Sequence, residues 1–271
     1  TTERCEYIKK VHYTLGGGSN VSVIDAKEYA KALFLLTEEE RTTSTVADQL
    51  QTVKRILSEN PKYIQLLVTP ALAKEENALL VCTGDAIDIH TQGNLEVWTE
   101  MTKDVDMMFS PGGHEHQRRC VRTMEEPYPY WETVRPQLEK EFSKYDLYLE
   151  SRIIGGINIV TADNSMDYFP KRTVDAFKKE LEKGLPTIVF FHDYLWNDFL
   201  NKTEPDHPNV RMTPSDYATS HEMIALPKNH PLVITTMSGH GHRDEERILN
   251  GKTHYATDGL FKGKARMIEI I

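Results

Sequence analysis

Short apolar runs alternate with amphipathic helical patterns along most of the chain. Seven apolar runs have the length of strands and are rich in β-branched or aliphatic residues: residues 33–37, 78–83, 105–109, 153–161, 187–191, 232–237 and 265–270. Helical spacing relates Val46, Leu50, Val53 and Leu57 behind Ser44 and Thr45, and also Val174, Phe177 and Leu181 between Pro170 and Gly184. Because helices that cover a central sheet give this layout, the pattern predicts an α/β fold.

Composition narrows the class of protein. The longest apolar runs fall far short of the roughly 20 residues that cross a bilayer, so we expect no membrane segment. A formal net charge of −9 disfavours general nucleic-acid binding, which depends on Lys and Arg, and favours a small substrate. The cysteines, Cys5, Cys82 and Cys120, form no Cys-x-x-Cys pair, and the first residues lack the apolar core of a signal peptide. A reducing, cytoplasmic location is therefore expected.

Polar residues follow directly after several predicted strands, where α/β folds build their sites. These residues are Asp85 and Asp88, His114 and His116, His192 and Asp193, and His240 and His242. Taken singly, each has an ordinary alternative, such as a helix cap for Asp85, a surface position for His114 or a half-buried histidine for His192. Asp193 could orient the ring of His192.

The histidine pair is more specific. In an extended segment alternate side chains project the same way, so His240 and His242 could address one metal cluster while Gly241 leaves room. A dinucleotide-binding fold is disfavoured, because no Gly-x-Gly-x-x-Gly follows a predicted strand.

Four segments carry a resemblance to a known family. They are Gly-Asp-Ala-Ile-Asp at 84–88, Gly-Gly-His-Glu at 112–115, the single His192, and Gly-His-Gly-His at 239–242. In order and spacing they resemble the calcineurin-like metallophosphoesterases. That family has Gly-Asp-x-x-Asp, Gly-Asn-His-Asp/Glu, a lone His and Gly-His-x-His. The resemblance covers residues 30–271, which we assign as the domain, with residues 1–29 as an N-terminal extension or first strand.

The resemblance implies a four-layer α-β-β-α sandwich of two mixed sheets flanked by helices, with two divalent metal ions at the strand ends. Asp85 would bridge the metals, His192 and His240 would bind one, and His242 would bind the other. His114 would approach the phosphate as the catalytic acid or transition-state stabiliser. A metal-bridging hydroxide would then hydrolyse a phosphate ester, either a monoester or a diester.

Two positions depart from the family pattern. The family opens with Asp-x-His after its first strand, whereas this chain offers Glu38 and Glu40 there, as altered ligands or as the acidic first turn of a helix. Asp25 is an alternative, with Lys27 in place of the histidine. Gly113 replaces the Asn that would bind the second metal, so water, Glu115 or His116 would have to substitute. The second metal position is expected to be weakly held or empty, with Mn, Fe, Zn or Ni as candidate ions.

The substrate is indicated only by class. Arg118 and Arg119 follow the His114 loop and could bind a phosphate oxygen, or they could be ordinary surface charges. An aromatic, proline-containing segment at 125–131 could stack on a ring, and a loop at 197–217 could overhang the site. We therefore expect either a hydrolase of a small, nucleotide-like phosphorylated substrate or a catalytically impaired binding or scaffold protein with an incomplete metal site.

Overall fold

A computed structural model describes residues 8–14, 46–48, 51, 55, 78–116, 129–198, 214–260 and 264–270. Its strands are β1 (Ile8–Thr14), β2 (Leu80–Cys82), β3 (Met107–Phe109), β4 (Leu149–Ile154), β5 (Ile157–Ala162), β6 (Thr187–Phe191), β7 (Val233–Ser238), β8 (Glu245–Leu249), β9 (Lys252–Ala256) and β10 (Lys264–Ile270). Its longer helices are α1 (Gln92–Thr102), α2 (Pro129–Glu141), α3 (Lys171–Leu181) and α4 (Pro214–Asn229), and a short 3-10 helix spans His114–His116.

The main sheet has six strands in the order β4-β5-β6-β7-β9-β8. Strands β5, β6, β7 and β9 run parallel, while β4 and β8 pair antiparallel with their neighbours at the two edges. A separate parallel pair joins β2 to β3, and β1 pairs antiparallel with β10. Because β6 and β7 are parallel, the loops that leave them lie at the same end of the main sheet. For the same reason, the loops that leave β2 and β3 lie at the same end of that pair.

Alternation along the strands divides the core into three apolar layers. Met108 of β3 packs with Ile159 of β5 and Ile188 of β6 between the two sheets. On the other side of the main sheet, Val160 and Val189 pack with residues of α3 and α4. Phe109 and its neighbours face α1 and α2. Since successive strand residues point to opposite faces, this gives the layer order helix, sheet, sheet, helix.

The α/β class is thereby confirmed. The six-stranded sheet is mixed, as expected, but within the described ranges the second β layer consists of the β2–β3 pair and the β1–β10 pair rather than one continuous mixed sheet. Of the predicted strands, residues 187–191 match β6, and residues 78–83, 105–109, 232–237 and 265–270 contain or overlap observed strands.

The single strand predicted over residues 153–161 is wrong. The chain turns there at Gly155 and Gly156, which have φ of 56° and 79°, and the hairpin β4–β5 results. Glycine adopts these positive φ values without the steric cost that other residues pay, so a Gly-Gly pair can reverse an apolar run. A second hairpin, β8–β9, turns at Asn250 and Gly251, which also have positive φ.

Both predicted helical patterns have helical residues where the structure describes them. Residues 46–48, 51 and 55 are helical, and α3 contains Val174, Phe177 and Leu181. The predicted strand at 33–37 lies outside the described residues. Among the residues described, no helix is both long enough and apolar enough to cross a bilayer.

Candidate functional site

The loops after β2, β3, β6 and β7 meet at one end of the two sheets. Asp85 follows β2, His114 follows β3, His192 follows β6, and His240 follows β7. Asp85, His240 and His242 have φ of 55°, 61° and 48°, three of the five described non-glycine residues with positive φ. Such backbone conformations cost free energy and cluster at functional sites. Three of them at this end of the sheets therefore make it the candidate functional site.

Asp85 is the central carboxylate of the cluster. Its Oδ1 accepts a hydrogen bond from the backbone N–H of His114 at 2.9 Å, and its Oδ2 lies 3.3 Å from His192 Nε2. Burial acts to raise the pKa of Asp85, but the neighbouring His192 and His114 outweigh it and hold the pKa below its usual value. Asp85 therefore remains an anion, in contact with the loop after β3 through His114 and with the loop after β6 through His192.

His192 is 2% exposed and is held by a backbone carbonyl. Its Nδ1 donates to Thr83 O at 2.8 Å, which turns Nε2 toward the cluster. His240 Nδ1 lies 3.0 Å from that Nε2, with the two rings nearly perpendicular. The expectation that Asp193 orients the ring is wrong, because Thr83 does so and the Asp193 carboxylate accepts from Asn197 instead.

The donor atoms of this cluster fit a divalent cation in kind. Ligands bound at about 2.1 Å to one ion are themselves about 3.0 to 3.4 Å apart in octahedral or tetrahedral geometry. The two contacts of His192 Nε2, at 3.3 Å to Asp85 and 3.0 Å to His240, fall in this range. Across the described ranges, however, no group of three or more His, Cys, Asp or Glu side chains has the full spacing of a metal site. The cluster is thus a partial ligand set.

His114 stands at the open side of Asp85. Its ring Nδ1 lies 2.7 Å from Asp88 Oδ1, and its Nε2 lies 3.9 Å from Asp85 Oδ2. The side chain is 29% exposed, so its Nε2 edge remains reachable from solvent. A ring held in this way can exchange a proton with a group bound beside Asp85.

Glu115 has a role that sequence reasoning missed. The side chain is fully buried and accepts four backbone N–H groups: those of Ala86 and Ile87 on Oε1, and those of Asp85 and Gly112 on Oε2. The idea that Glu115 replaces a metal ligand is therefore wrong, since both oxygens serve the backbone. Its bond to Gly112, three residues earlier, follows the capping-box spacing, which is the signal the sequence offered.

His116 is likewise a structural residue. Its Nδ1 lies 3.1 Å from Gly112 O, and burial, reinforced by nearby Arg135, lowers its pKa to about 3. A buried neutral imidazole tied to the loop backbone does not replace the missing ligand at Gly113, so this alternative is also wrong.

Two glycines let the loops approach closely. A Cβ on Gly112 would lie 2.4 Å from Asp85 Oδ1 and 2.8 Å from His192 Cε1. A Cβ on Gly84, whose φ is 94°, would lie 2.5 Å from Gly112 N and 2.8 Å from His192 Nδ1. Any larger residue at either position would separate the groups that form the cluster.

The remaining predicted site residues are placed differently or lie outside the description. His242 is exposed, and the segment that carries it is bent rather than extended, with left-handed φ at both histidines. The alternation argument for His240 and His242 is therefore wrong, although their roles as ligands stay predictions. Residues outside the described ranges are Asp25, Lys27, Glu38, Glu40, Arg118 and Arg119.

Comparison with known proteins corrects the family assignment. The family model that matches is that of the ATP synthase delta (OSCP) subunit, over residues 26–105. A relative named ATP synthase subunit delta, from Alkalihalophilus pseudofirmus, is 24% identical over 174 residues, covering 59% of this chain and 96% of the relative. The recognition of the chain as a calcineurin-like metallophosphoesterase from its short motifs is contradicted by these matches.

Solved structures give a different likeness, in fold alone. A dimetal phosphatase from Danio rerio has a TM-score of 0.49 and 13% identity, and the match covers 73% of this chain and 77% of that one. The phosphopantetheinyl hydrolase of Mycobacterium tuberculosis has a TM-score of 0.40 and 10% identity, with coverage of 68% and 80%.

Proposed function

We propose that this protein hydrolyses a phosphate ester with the help of a divalent cation. The observation that supports the proposal is the convergence of Asp85 Oδ2 and His240 Nδ1 on His192 Nε2, which the bond from Nδ1 to Thr83 turns toward them. One carboxylate and two imidazoles are a donor set that suits Mn, Fe, Zn or Ni.

In this proposal Asp85, His192 and His240 hold the cation. A cation bound there would supply a coordinated water of lowered pKa and would offset the charge on the phosphate oxygens. The side chains of Asp85 and His240 already lie beside His192 Nε2, so binding of a cation would need little reorganisation.

His114 would transfer a proton to the leaving oxygen. Asp88 holds the ring by Nδ1, which leaves Nε2 on the side of Asp85 for a proton donated to the ester oxygen. The substrate would be a small phosphorylated molecule, and a nucleotide-like compound is one member of that class. Arg118, Arg119, Glu38 and Glu40 remain proposed contributors to substrate and metal binding.

The test combines metal analysis with an assay of hydrolysis. Chelator-stripped protein is dialysed against Mn, Zn, Fe(II) or Ni, its metal content is measured, and hydrolysis of p-nitrophenyl phosphate and bis-p-nitrophenyl phosphate is followed. We expect bound metal and turnover in the native chain, and loss of both in Asp85→Asn. Asp175→Asn, which changes a half-exposed carboxylate on α3, is the matched control and should behave as native.

A second function, that of a binding or scaffold protein without turnover, has specific support. Within the described ranges no complete metal-ligand group is present, and Gly113 offers no side chain. The matching family model also belongs to a subunit of an assembly, the ATP synthase. Absence of both metal and hydrolysis in the native chain under all four ions would favour this function and refute the first.

A further inference from the structure

A tyrosine and an arginine lie beside the histidine cluster. Tyr194 follows His192 by two residues, and its ring centroid is 6.3 Å from that of His240. Arg243 follows His242 directly, and its Nη2 donates to Tyr194 Oη at 2.9 Å. The guanidinium also lies over the tyrosine ring, with its carbon 5.5 Å from the ring centroid. Arg243 is thus turned back toward the cluster by Tyr194.

Gly241 makes this arrangement possible. A Cβ on Gly241 would lie 2.7 Å from Tyr194 Cε1 and 3.2 Å from Arg243 Nε. Both side chains therefore pack directly over the backbone that joins His240 to His242. Because Tyr194 and Arg243 fill this space, a larger residue between the two histidines would displace Arg243 from Tyr194.

Arg243 keeps its charge accessible while its direction is restrained. Tyr194 is 7% exposed, whereas 57% of the Arg243 side chain is exposed. Among the described residues, the carboxylate contact of Arg243 is a long one, 3.8 Å from Nε to Glu245 Oε2. A guanidinium that is fixed on one edge and open on the other can bind two oxygens of a phosphate in parallel.

The charge of the cluster shows why such a group is needed. Asp85 and Asp88 place two carboxylates beside His114, and these would repel an incoming phosphate. A cation held by Asp85 would offset only part of that charge. The repulsion is largest for a monoester, whose phosphate carries up to two negative charges, compared with one for a diester.

We infer that Arg243 binds the non-reacting oxygens of the substrate phosphate, that Tyr194 positions it, and that the pair favours phosphate monoesters over diesters. The inference rests on the proposed function for its kinetic consequences, but the binding of phosphate itself can be measured without turnover. Arg243 is a specificity residue in this view, in addition to Arg118 and Arg119, which the sequence predicts as phosphate-binding residues.

The first measurement is calorimetric titration of inorganic phosphate into the full chain, dialysed against Mn. Arg243→Gln should weaken phosphate binding about 10- to 100-fold, the range expected when a charged hydrogen-bonding partner is removed. Tyr194→Phe keeps the ring but removes the hydroxyl, and should weaken binding by a smaller factor. Mn content should stay equal to that of the native chain in both variants.

Arg247→Gln is the matched control. Arg247 is also about half exposed, lies over the ring of Trp196 at 5.2 Å, and pairs with Glu245. Its described hydrogen bond is to Glu245 rather than to Tyr194. Its loss should change phosphate affinity less than twofold. In the assay of hydrolysis, Arg243→Gln should lower kcat/KM for p-nitrophenyl phosphate mainly through KM, and by a larger factor than for bis-p-nitrophenyl phosphate.

The outcomes separate the two proposals. If the native chain hydrolyses substrate but Arg243→Gln binds phosphate as tightly as Arg247→Gln does, the inference is overturned and the proposed function stands. If the native chain has no turnover but loses phosphate binding in Arg243→Gln, the guanidinium site is supported and the proposed function fails. If the native chain binds no phosphate at all, the inference is also overturned.

Discussion

Glu115 offers the sharpest test of how the loops around Asp85 are held. Its two carboxylate oxygens accept four backbone N–H groups at 2.6 to 3.3 Å, from the loops after β2 and β3. Glu115→Gln keeps the shape of the side chain but replaces one oxygen with an NH₂ group. Whichever way the amide is turned, two N–H donors then face another donor instead of an acceptor.

The size of the effect follows from the donors left without a partner. Each unsatisfied buried donor costs about 1 to 3 kcal/mol, so with two such donors the free energy of unfolding should fall by about 2 to 6 kcal/mol. Since a domain of this kind has a total of about 5 to 15 kcal/mol, the variant should remain folded but unfold at clearly lower urea concentration. The cation site proposed at Asp85 should also bind Mn more weakly.

The assay is urea unfolding followed by far-UV circular dichroism, for the native chain, Glu115→Gln and Glu139→Gln. Glu139 is a partly exposed carboxylate on α2, and its replacement should change the free energy of unfolding by no more than about 1 kcal/mol. If Glu115→Gln costs less than about 1 kcal/mol, the four N–H contacts do not hold the loops, and this account of Glu115 is refuted.

Three further predictions test the surrounding structure. Gly112→Ala should abolish Mn binding, because its Cβ would clash with Asp85 Oδ1. Gly93→Ala is the control, because the space at that Cβ is open and the backbone there is helical. It should bind as much Mn as the native chain, and its free energy of unfolding should rise by about 0.5 to 1 kcal/mol. Burial, with Lys252 nearby, lowers the pKa of His254 from 6.5 to about 4. As pH drops from 6.5 toward 4 the unfolded chain is protonated before the folded one, so the free energy of unfolding in urea should fall over that range. His254→Gln should make this fall smaller, and an unchanged dependence on pH would contradict the prediction. Arg135→Met should lower the free energy of unfolding in urea by about 3 to 5 kcal/mol, because it leaves the buried carboxylate of Asp163 without the guanidinium, whose Nη1 lies 3.0 Å away. A loss below about 1 kcal/mol would show that the ion pair does not stabilise the fold.

The sequence predicted the sheet best where strands are fully buried. Residues 187–191 are apolar or β-branched throughout, and they form β6 with no shift in its bounds. The pattern failed where glycines reverse the chain within an apolar run, as at Gly155, because hydrophobicity does not register a turn. It also overlooked the Asn-Gly pair at residues 250 and 251, although such a pair between polar strands is a recognised hairpin signal.

The candidate site shows a different limit. Position after a strand brought Asp85, His114, His192 and His240 into one list, and the structure places them together. The direction of a side chain in a bent loop depends on φ, which the sequence of His240 and His242 does not reveal. The family assignment failed because a few residues at loop ends can be alike by chance or by shared chemistry, whereas a family model weighs many positions at once.

The cluster joins two separate sheets. Asp85 and His114 are carried by the β2–β3 pair, whereas His192 and His240 are carried by the six-stranded sheet. Thr83 O and Asp85 Oδ2 both contact His192 across the boundary between the sheets. An ion bound by residues of both sheets would link the two sheets across the apolar core between them. Removal of such an ion would then weaken the contact between the two sheets at the end that carries the histidine cluster.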